Sequence, residues 1–346
     1  MKWVVAVSLL LLGGCTARES AGKRATSSAK TPVPPTKTKA STVAQPQPTF
    51  NPEPQRSETT SPDGTLSATS TLRTDPVWTG VVTVRETKSG RVVAKWRVRD
   101  GATGLAFSHN NKWLAVGGRV GLKVWDWRAK RMVHFLKMSD SDDIRVFMFP
   151  DVQPDFSPDG RMMAVATGIV QLFDTRSWKL IHAFDGDNAP GIVSDVSFSP
   201  DGRFVIASNY DREFAYSLVN VRTLKSHDLD EGESADKPVF SRDSRLVALH
   251  PMTDDFSIWN VRRSQKLSQF TIPNDFDFVV HSFSPNARLL ALQNKHGHFE
   301  VWRVRDGKRL FVSPSKSDSM RWINSQMVEL RSGQTTKRVS IEGAAR

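Results

Sequence analysis

Cysteine occurs once in the 346 residues, at position 15. A single thiol excludes an internal disulfide framework, and one so close to the start excludes a cysteine-based zinc site in the core. No Gly-x-Ser-x-Gly elbow and no phosphate-cradling glycine loop occur, so common nucleophile and nucleotide signatures are missing. Also lacking is an apolar run of the ~20 residues a spanning helix needs. What the chain does have is material for a packed core, with 38% apolar and 24% charged residues. Lys and Arg number 48 against 36 Asp and Glu, giving +12, a balance that suits an anionic companion without naming one.

Met1-Lys2 followed by the ten residues Trp3 to Leu12 has the charge and apolar pattern of a cleaved export signal. Leu12-Gly13-Gly14-Cys15 then resembles the lipobox of bacterial lipoproteins. That resemblance covers the first fifteen residues and implies removal of residues 1–14, with Cys15 as the lipid-attachment residue. Two or more acyl chains on one residue exceed the threshold for stable membrane anchoring. Thr16 after the cysteine implies an outer-membrane address, facing the periplasm, if the cell has two membranes. The expected location is the cell envelope, outside the cytoplasm.

Composition shifts between Thr16 and Gln55, where seven Pro and eleven Ser or Thr share forty residues. Such a stretch buries too little apolar surface to offset its ordering entropy. Residues 15–55 are therefore expected to form a disordered tether, and Pro-rich chain of that length reaches about 120 Å.

From Arg56 onward a unit recurs. Phe107, Phe156, Phe198, Phe240 and Phe283 are each followed by Ser and a turn sequence, most clearly Ser157-Pro158-Asp159-Gly160 and Ser199-Pro200-Asp201-Gly202. The phenylalanines stand 49, 42, 42 and 43 residues apart. In that turn Pro fixes φ, Asp bonds its own backbone and Gly takes positive φ, which predicts a hairpin. Short apolar runs such as Met162 to Ala166 and Leu289 to Leu292 follow as strands. Aromatic strand ends come later in each unit, at Trp125-Asp126, Phe173-Asp174, Trp259-Asn260 and Trp302-Arg303.

Four short strands in about 42 residues, the third ending in an aromatic residue, resemble the WD-repeat β-propeller family. The resemblance covers residues 56–346 and implies an all-β fold of four-stranded antiparallel blades. Only Trp125-Asp126 is a true Trp-Asp pair, and no Gly-His dipeptide opens a unit. With Ser61-Pro62-Asp63-Gly64 as the turn of a first unit, 291 residues divide into seven blades, six being the fallback. Ring closure removes exposed sheet edges. One chain end is therefore expected to complete a blade opened by the other.

Candidate chemistry is sparse. His296-Gly297-His298 offers two imidazoles at a predicted hairpin without a third ligand, and Asp140, Asp142 and Asp143 or Asp185 and Asp187 match no EF-type spacing. Val84 to Trp96 faintly resembles the Trp-docking motif of quinone-dependent dehydrogenase propellers, in one poor copy. No metal, no cofactor and no enzyme activity are expected. Trp residues ending third strands are expected in the core.

Charge sorts by loop class. Turns expected between third and fourth strands carry a net +15, whereas the loops between units carry −10. In the WD-repeat resemblance these two classes lie on opposite sides of a disc. The expected anionic-surface contacts are Arg128, Lys130, Arg131, Arg262, Arg263, Arg305, Lys308 and Arg309. Expected partner contacts are Asp142, Asp143, Ile144, Phe147, Asp185, Asp187, Asp230, Glu231, Asp254 and Asp255.

The expected function is a membrane-anchored extracytoplasmic scaffold: a monomeric propeller with a protein partner, the bilayer reached through acylated Cys15, and an anionic envelope polymer at the basic side. Nucleic acid is not expected, because the export signal removes the chain from it. The alternative is an extracytoplasmic enzyme or carbohydrate-binding module using the central channel, marked by three or more convergent polar or titratable groups at one channel mouth.

Overall fold

In the computed structural model, the described residues are 56–73, 79–99, 101–118, 121–136, 152–184, 193–209, 214–231, 237–251, 255–271, 278–294 and 296–341. They contain 27 strands in seven antiparallel sheets and no helix. No helix among them is long and apolar enough to cross a membrane. The sheets follow one another along the chain over 56–99, 104–136, 153–184, 193–231, 239–271, 278–312 and 319–340. The first six have four strands each and the seventh has three, every strand hydrogen-bonded to its sequence neighbour. Seven units, not six, are therefore present.

Local chemistry explains why six of the seven units begin as a hairpin. The hydroxyls of Ser61, Ser108, Ser157, Ser199, Ser241 and Ser284 each accept the amide five residues on, at 2.8–3.0 Å. Each hydroxyl also donates to the Asp or Asn two residues later, as Ser157 Oγ does to Asp159 Oδ1 at 2.7 Å. That same Oδ1 accepts the next amide but one at 3.0–3.2 Å. All six serines are buried, so these bonds satisfy groups that water cannot reach. Following the Asp or Asn comes a residue with positive φ: Gly64, Asn111, Gly160, Gly202, Ser244 or Ala287. Three of the six lack glycine there and keep the turn.

Alternation along the strands then sends apolar side chains to both faces of the middle sheets. The result is a set of six apolar clusters, one between each pair of consecutive sheets. Leu66, Ala68, Val82 and Val84 of sheet one meet Leu105, Phe107, Leu114 and Val116 of sheet two. At the other end, Leu289, Ala291, Phe299 and Val301 of sheet six meet Met320, Val328, Leu330 and Ile341 of sheet seven. Among the described residues no cluster joins sheet seven to sheet one. Of the aromatic residues ending third strands, Phe173 and Trp302 are buried while Trp125 and Trp259 are half-buried against the clusters.

The expected exchange of a strand between the chain ends is not what the structure has. Arg56–Thr60 pairs with Leu66–Arg73 in its own sheet, because the Ser61 to Gly64 turn folds it back there. Sheet seven ends at Thr335–Ser340, paired on one side with Met327–Ser332. Lys337 and Arg338 sit exposed on that outer strand, and charge on an edge strand opposes pairing with another chain.

Candidate functional site

Between the third and fourth strands of sheets one to six runs a five-residue turn, at 86–90, 126–130, 174–178, 220–224, 260–264 and 303–307. The fifth residue has positive φ in all six: Gly90, Lys130, Trp178, Leu224, Ser264 and Gly307. In four of them, at Gly90, Trp178, Leu224 and Gly307, its amide closes on the carbonyl of the first residue at 2.7–2.9 Å. Where the first residue is Asp or Asn, its side chain accepts the fourth amide, seen for Asp126, Asp174, Asn220 and Asn260 at 2.6–3.0 Å. The second residue is buried in three of the turns, at Trp127, Val261 and Val304. The third points away from the sheet, and it is basic every time: Lys88, Arg128, Arg176, Arg222, Arg262 and Arg305, all exposed. Three of these, Lys88, Arg176 and Arg222, were not singled out from sequence. Their signal was position within the turn, not the charge total of the segment.

The remaining basic candidates flank this position. Lys130 and Arg263 are the fifth and fourth residues of their turns, while Arg131, Lys308 and Arg309 begin fourth strands, and all five are exposed. Arg128 stacks over the Trp127 ring at 4.2 Å and donates to the Asn111 carbonyl at 2.7 Å, which fixes its stem while its charge stays outside. Arg309 lies 3.5 Å from the buried Glu300 carboxylate and over Trp302, so part of its charge is used internally. Beside Arg305, the Asp306 carboxyl is held down at about 2, chiefly by hydrogen bonds from Arg303, with smaller help from Lys308 and Arg305.

Most of the expected partner contacts, Asp142, Asp143, Ile144, Phe147, Asp185, Asp187 and Asp254, lie outside the described residues, as does Asp140. Glu231 ends the strand Lys225–Glu231, opposite Phe214. Asp255 is half-buried, accepting from Gln269 and Thr271 of the neighbouring strand. Asp230 faces inward, not toward a partner. Its carboxylate is 4% exposed, paired with Lys266 and bonded by Trp259 Nε1 at 3.0 Å and by Ser257 Oγ. It thus joins sheet four to sheet five.

Sequence reasoning did not find a polar arc on the first strands of sheets three and four and just ahead of sheet five. Gln153, Asp195 and Lys237 occupy equivalent positions, each three residues before the recurrent phenylalanine. Lys237 Nζ is 2.7 Å from Asp195 Oδ2, and Gln153 donates to the Thr103 carbonyl at 2.9 Å. Asp155, two residues beyond Gln153, accepts the Phe198 amide at 2.7 Å. Burial pushes the Asp155 carboxyl up to about 7, with the Asp195 charge adding to the rise and Lys237 opposing it. Three titratable groups from successive units therefore converge, a contact set too distant in sequence for any local motif to signal.

His296 and His298 stand at the hairpin between the second and third strands of sheet six, where His298 Nδ1 is 2.9 Å from the Ser313 carbonyl. Among the described residues no group of three His, Cys, Asp or Glu side chains is placed to hold a metal ion.

Comparison with known proteins agrees with this architecture. Residues 178–213 match the family model "WD domain, G-beta repeat", a stretch running from the end of sheet three into sheet four. The chain is 26% identical over 156 residues to pre-mRNA-processing factor 19 homolog 2 of Arabidopsis thaliana and 28% over 156 residues to pre-mRNA-processing factor 19 of Oryza sativa subsp. japonica. Those stretches are 44% of this chain and 27% of each relative, so the chain spans about a quarter of the length of the curated relatives it matches. Among solved structures it is similar to the Cps50 (Swd1) β-propeller domain of Myceliophteria thermophila, with a TM-score of 0.55 and 12% identity over 84% of this chain and 98% of that one. Identity this low speaks for the fold alone. The neighbour supports a β-propeller fold, within which residues 178–213 match one WD repeat.

Proposed function

We propose that this chain is an envelope-anchored propeller scaffold that holds a protein partner and an anionic surface component at once. The observation that carries the reading is the recurrence of one exposed cation at the third position of six equivalent turns. Equivalent turns of a propeller share one rim, so these cations form a ring there, and a ring of like charge attracts a polyanion over about a Debye length. Support for protein binding comes from the WD-domain match. Anchoring rests on Leu12-Gly13-Gly14-Cys15, which puts a lipid on Cys15 and the tether behind it. The acidic loops between units supply the partner side. No reaction is part of this role.

The test uses the full chain with Lys88, Arg128, Arg176, Arg222, Arg262 and Arg305 changed to Gln, titrated with salt on vesicles rich in anionic lipid. Loss of the salt-sensitive part of binding, with unchanged thermal unfolding, is expected; equal retention overturns the ring. Mass spectrometry of the mature N-terminus reads the acyl chains on Cys15 directly.

A second reading is favoured by one observation, the convergence of Asp155, Asp195 and Lys237. In it the central channel binds a small polar ligand. An array of sugars and amines that leaves the thermal midpoint unmoved overturns it, and a shift lost in Asp195→Asn supports it.

A further inference from the structure

In sheets three to six the exposed turn cation has a second arginine beside it. Arg161, Arg203, Arg245 and Arg288 each stand four residues after the buried serine of the first hairpin. Their carbonyls accept the amides of Thr175, Val221, Val261 and Val304, the second residues of the turns between third and fourth strands, at 2.9–3.0 Å. The next residue in each turn is Arg176, Arg222, Arg262 or Arg305. One backbone hydrogen bond thus makes neighbours of two arginines at the same end of each sheet, and all eight are exposed. Sheet one keeps the bond, from Thr87 to Thr65 at 2.9 Å, but has no arginine at its hairpin. In sheet two Lys112 lies over the Trp113 ring and Arg128 donates back to the Asn111 carbonyl. The hairpins and turns that carry the four pairs lie wholly within the described residues. They are also joined, since Pro158 lies against Gly202 and the Asp201 amide donates to Ser244 Oγ at 2.9 Å.

Carboxylates near the pairs are already engaged. Oδ1 of Asp159, Asp201 and Asp243 accepts the hairpin hydroxyl and an amide, and their Oδ2 atoms lie 3.6–4.0 Å from Arg161, Arg203 and Arg245. Asp174 accepts from Ser177, and Asp306 is bonded by Arg303 at 2.7 Å. Asn220, Asn260 and Asn286 stand where other units have Asp. Among the described residues no carboxylate oxygen is within hydrogen-bond distance of these eight guanidinium groups. Sheet seven differs, for there Arg321 and Arg338 both close on Glu329, at 2.6 and 3.2 Å.

Two guanidinium forks offer paired positive charge and many N–H donors to one anion. A carboxylate or a phosphodiester answers with one charge and two free oxygens. A phosphomonoester brings three acceptor oxygens and a charge of about −1.5 to −2, which two arginines match. Four such seats on one rim suit anions held in a plane, and a lipid on Cys15 keeps a leaflet within reach, so weak seats act together.

We infer that the arginine pairs of sheets three to six seat phosphomonoester headgroups of a lipid leaflet. This rests on the proposed basic rim and names the anion it selects.

The test measures the full chain on vesicles containing phosphatidic acid or phosphatidylglycerol, matched in zeta potential, so that insertion through acyl chains or apolar sequence is common to both. A preference for phosphatidic acid of about fivefold or more is expected. Arg161, Arg203, Arg245 and Arg288 changed together to Gln should abolish that preference with unchanged thermal unfolding. Changing Lys130, Lys179, Lys225 and Arg263 to Gln removes equal charge from the same region without breaking a pair, and should weaken binding to both vesicles while keeping their ratio. No preference in the parent, or a preference that survives loss of the four hairpin arginines, overturns the inference. Abolition of the preference by millimolar glycerol phosphate assigns the seats to a soluble phosphate and overturns the leaflet. If phosphatidylglycerol binding stays sensitive to salt and to the six turn cations while the preference is absent, the inference fails and the proposed rim stands.

Discussion

Asp230, on the fourth strand of sheet four, forms an ion pair with Lys266, on the fourth strand of sheet five. The carboxylate is almost fully covered, and Trp259 and Ser257 donate to it from the same neighbouring sheet. An acidic residue that the sequence suggested as partner-facing is instead a bolt between units.

Breaking that bolt should be costly. Asp230→Ala leaves the Lys266 ammonium without its acceptor and the Trp259 indole with Ser257 Oγ alone, and a broken buried pair costs about 3–5 kcal/mol. Because Lys266 is partly exposed, about 2–3 kcal/mol is expected. Chemical denaturation of both proteins reads the difference; a shift under 1 kcal/mol would show the pair to be superficial.

The hairpin serines offer a second test. Ser199 is fully buried, accepts the Phe204 amide at 3.0 Å and donates to Asp201 at 2.8 Å. Ser199→Ala strips the amide of an acceptor and should destabilise by about 1–3 kcal/mol. Ser315→Ala, at an exposed position, is the matched control and should leave the midpoint where it is.

Two glycines in equivalent turns separate backbone strain from crowding. Gly90 and Gly307 have φ near +68° and +61°, but only at Gly307 would a new Cβ collide, 2.4 Å from Phe270 Cβ. Gly90→Ala should cost about 1 kcal/mol from φ alone, and Gly307→Ala about 1–3 kcal/mol more. Equal losses in the two variants would mean that Phe270 gives way freely. Conversely, Ala287 already holds φ +56°, so Ala287→Gly should not destabilise despite the added freedom of the unfolded chain.

Asp155 predicts a pH dependence whose sign is opposite to that of a salt-bridged carboxylate. Its folded value, about 7, exceeds the unfolded one near 3.8, so the folded state binds the extra proton between them. Its contribution is fully present below pH 3.8 and is lost as pH rises through 7, with a slope of no more than about 1.4 kcal/mol per pH unit. Asp155→Asn keeps an oxygen for the Phe198 amide and should flatten the profile between pH 4 and 7. A variant as steep as the parent would place the titration elsewhere.

Local chemistry was legible in the sequence and distant chemistry was not. Ser157 to Gly160 specifies its own hairpin through bonds spanning at most five residues, so the repeat, the strand order and the number of units could be read directly. Strand ends ran further than expected, Phe204–Asn209 instead of Phe204 to Ala207, because Ser208 and Asn209 are buried polar residues that hydrophobicity does not flag. Asp230 misled because its neighbours in sequence are acidic while its partners lie on the next sheet. The Asp155, Asp195 and Lys237 group joins three units and has no local signature at all. At the six turns, segment charge revealed the trend, but the repeated third position emerged only when the turns were superposed by their closing φ.

Among the described residues six apolar clusters join the seven sheets, and sheet seven takes part in one of them. A sheet in two clusters gains from two neighbours, a sheet in one from one, so the energy of the array resembles a string of nearest-neighbour couplings. Sheet seven, with three strands and one such cluster, is the natural starting point for fraying, and amide exchange should be fastest there and slow toward sheets three to five.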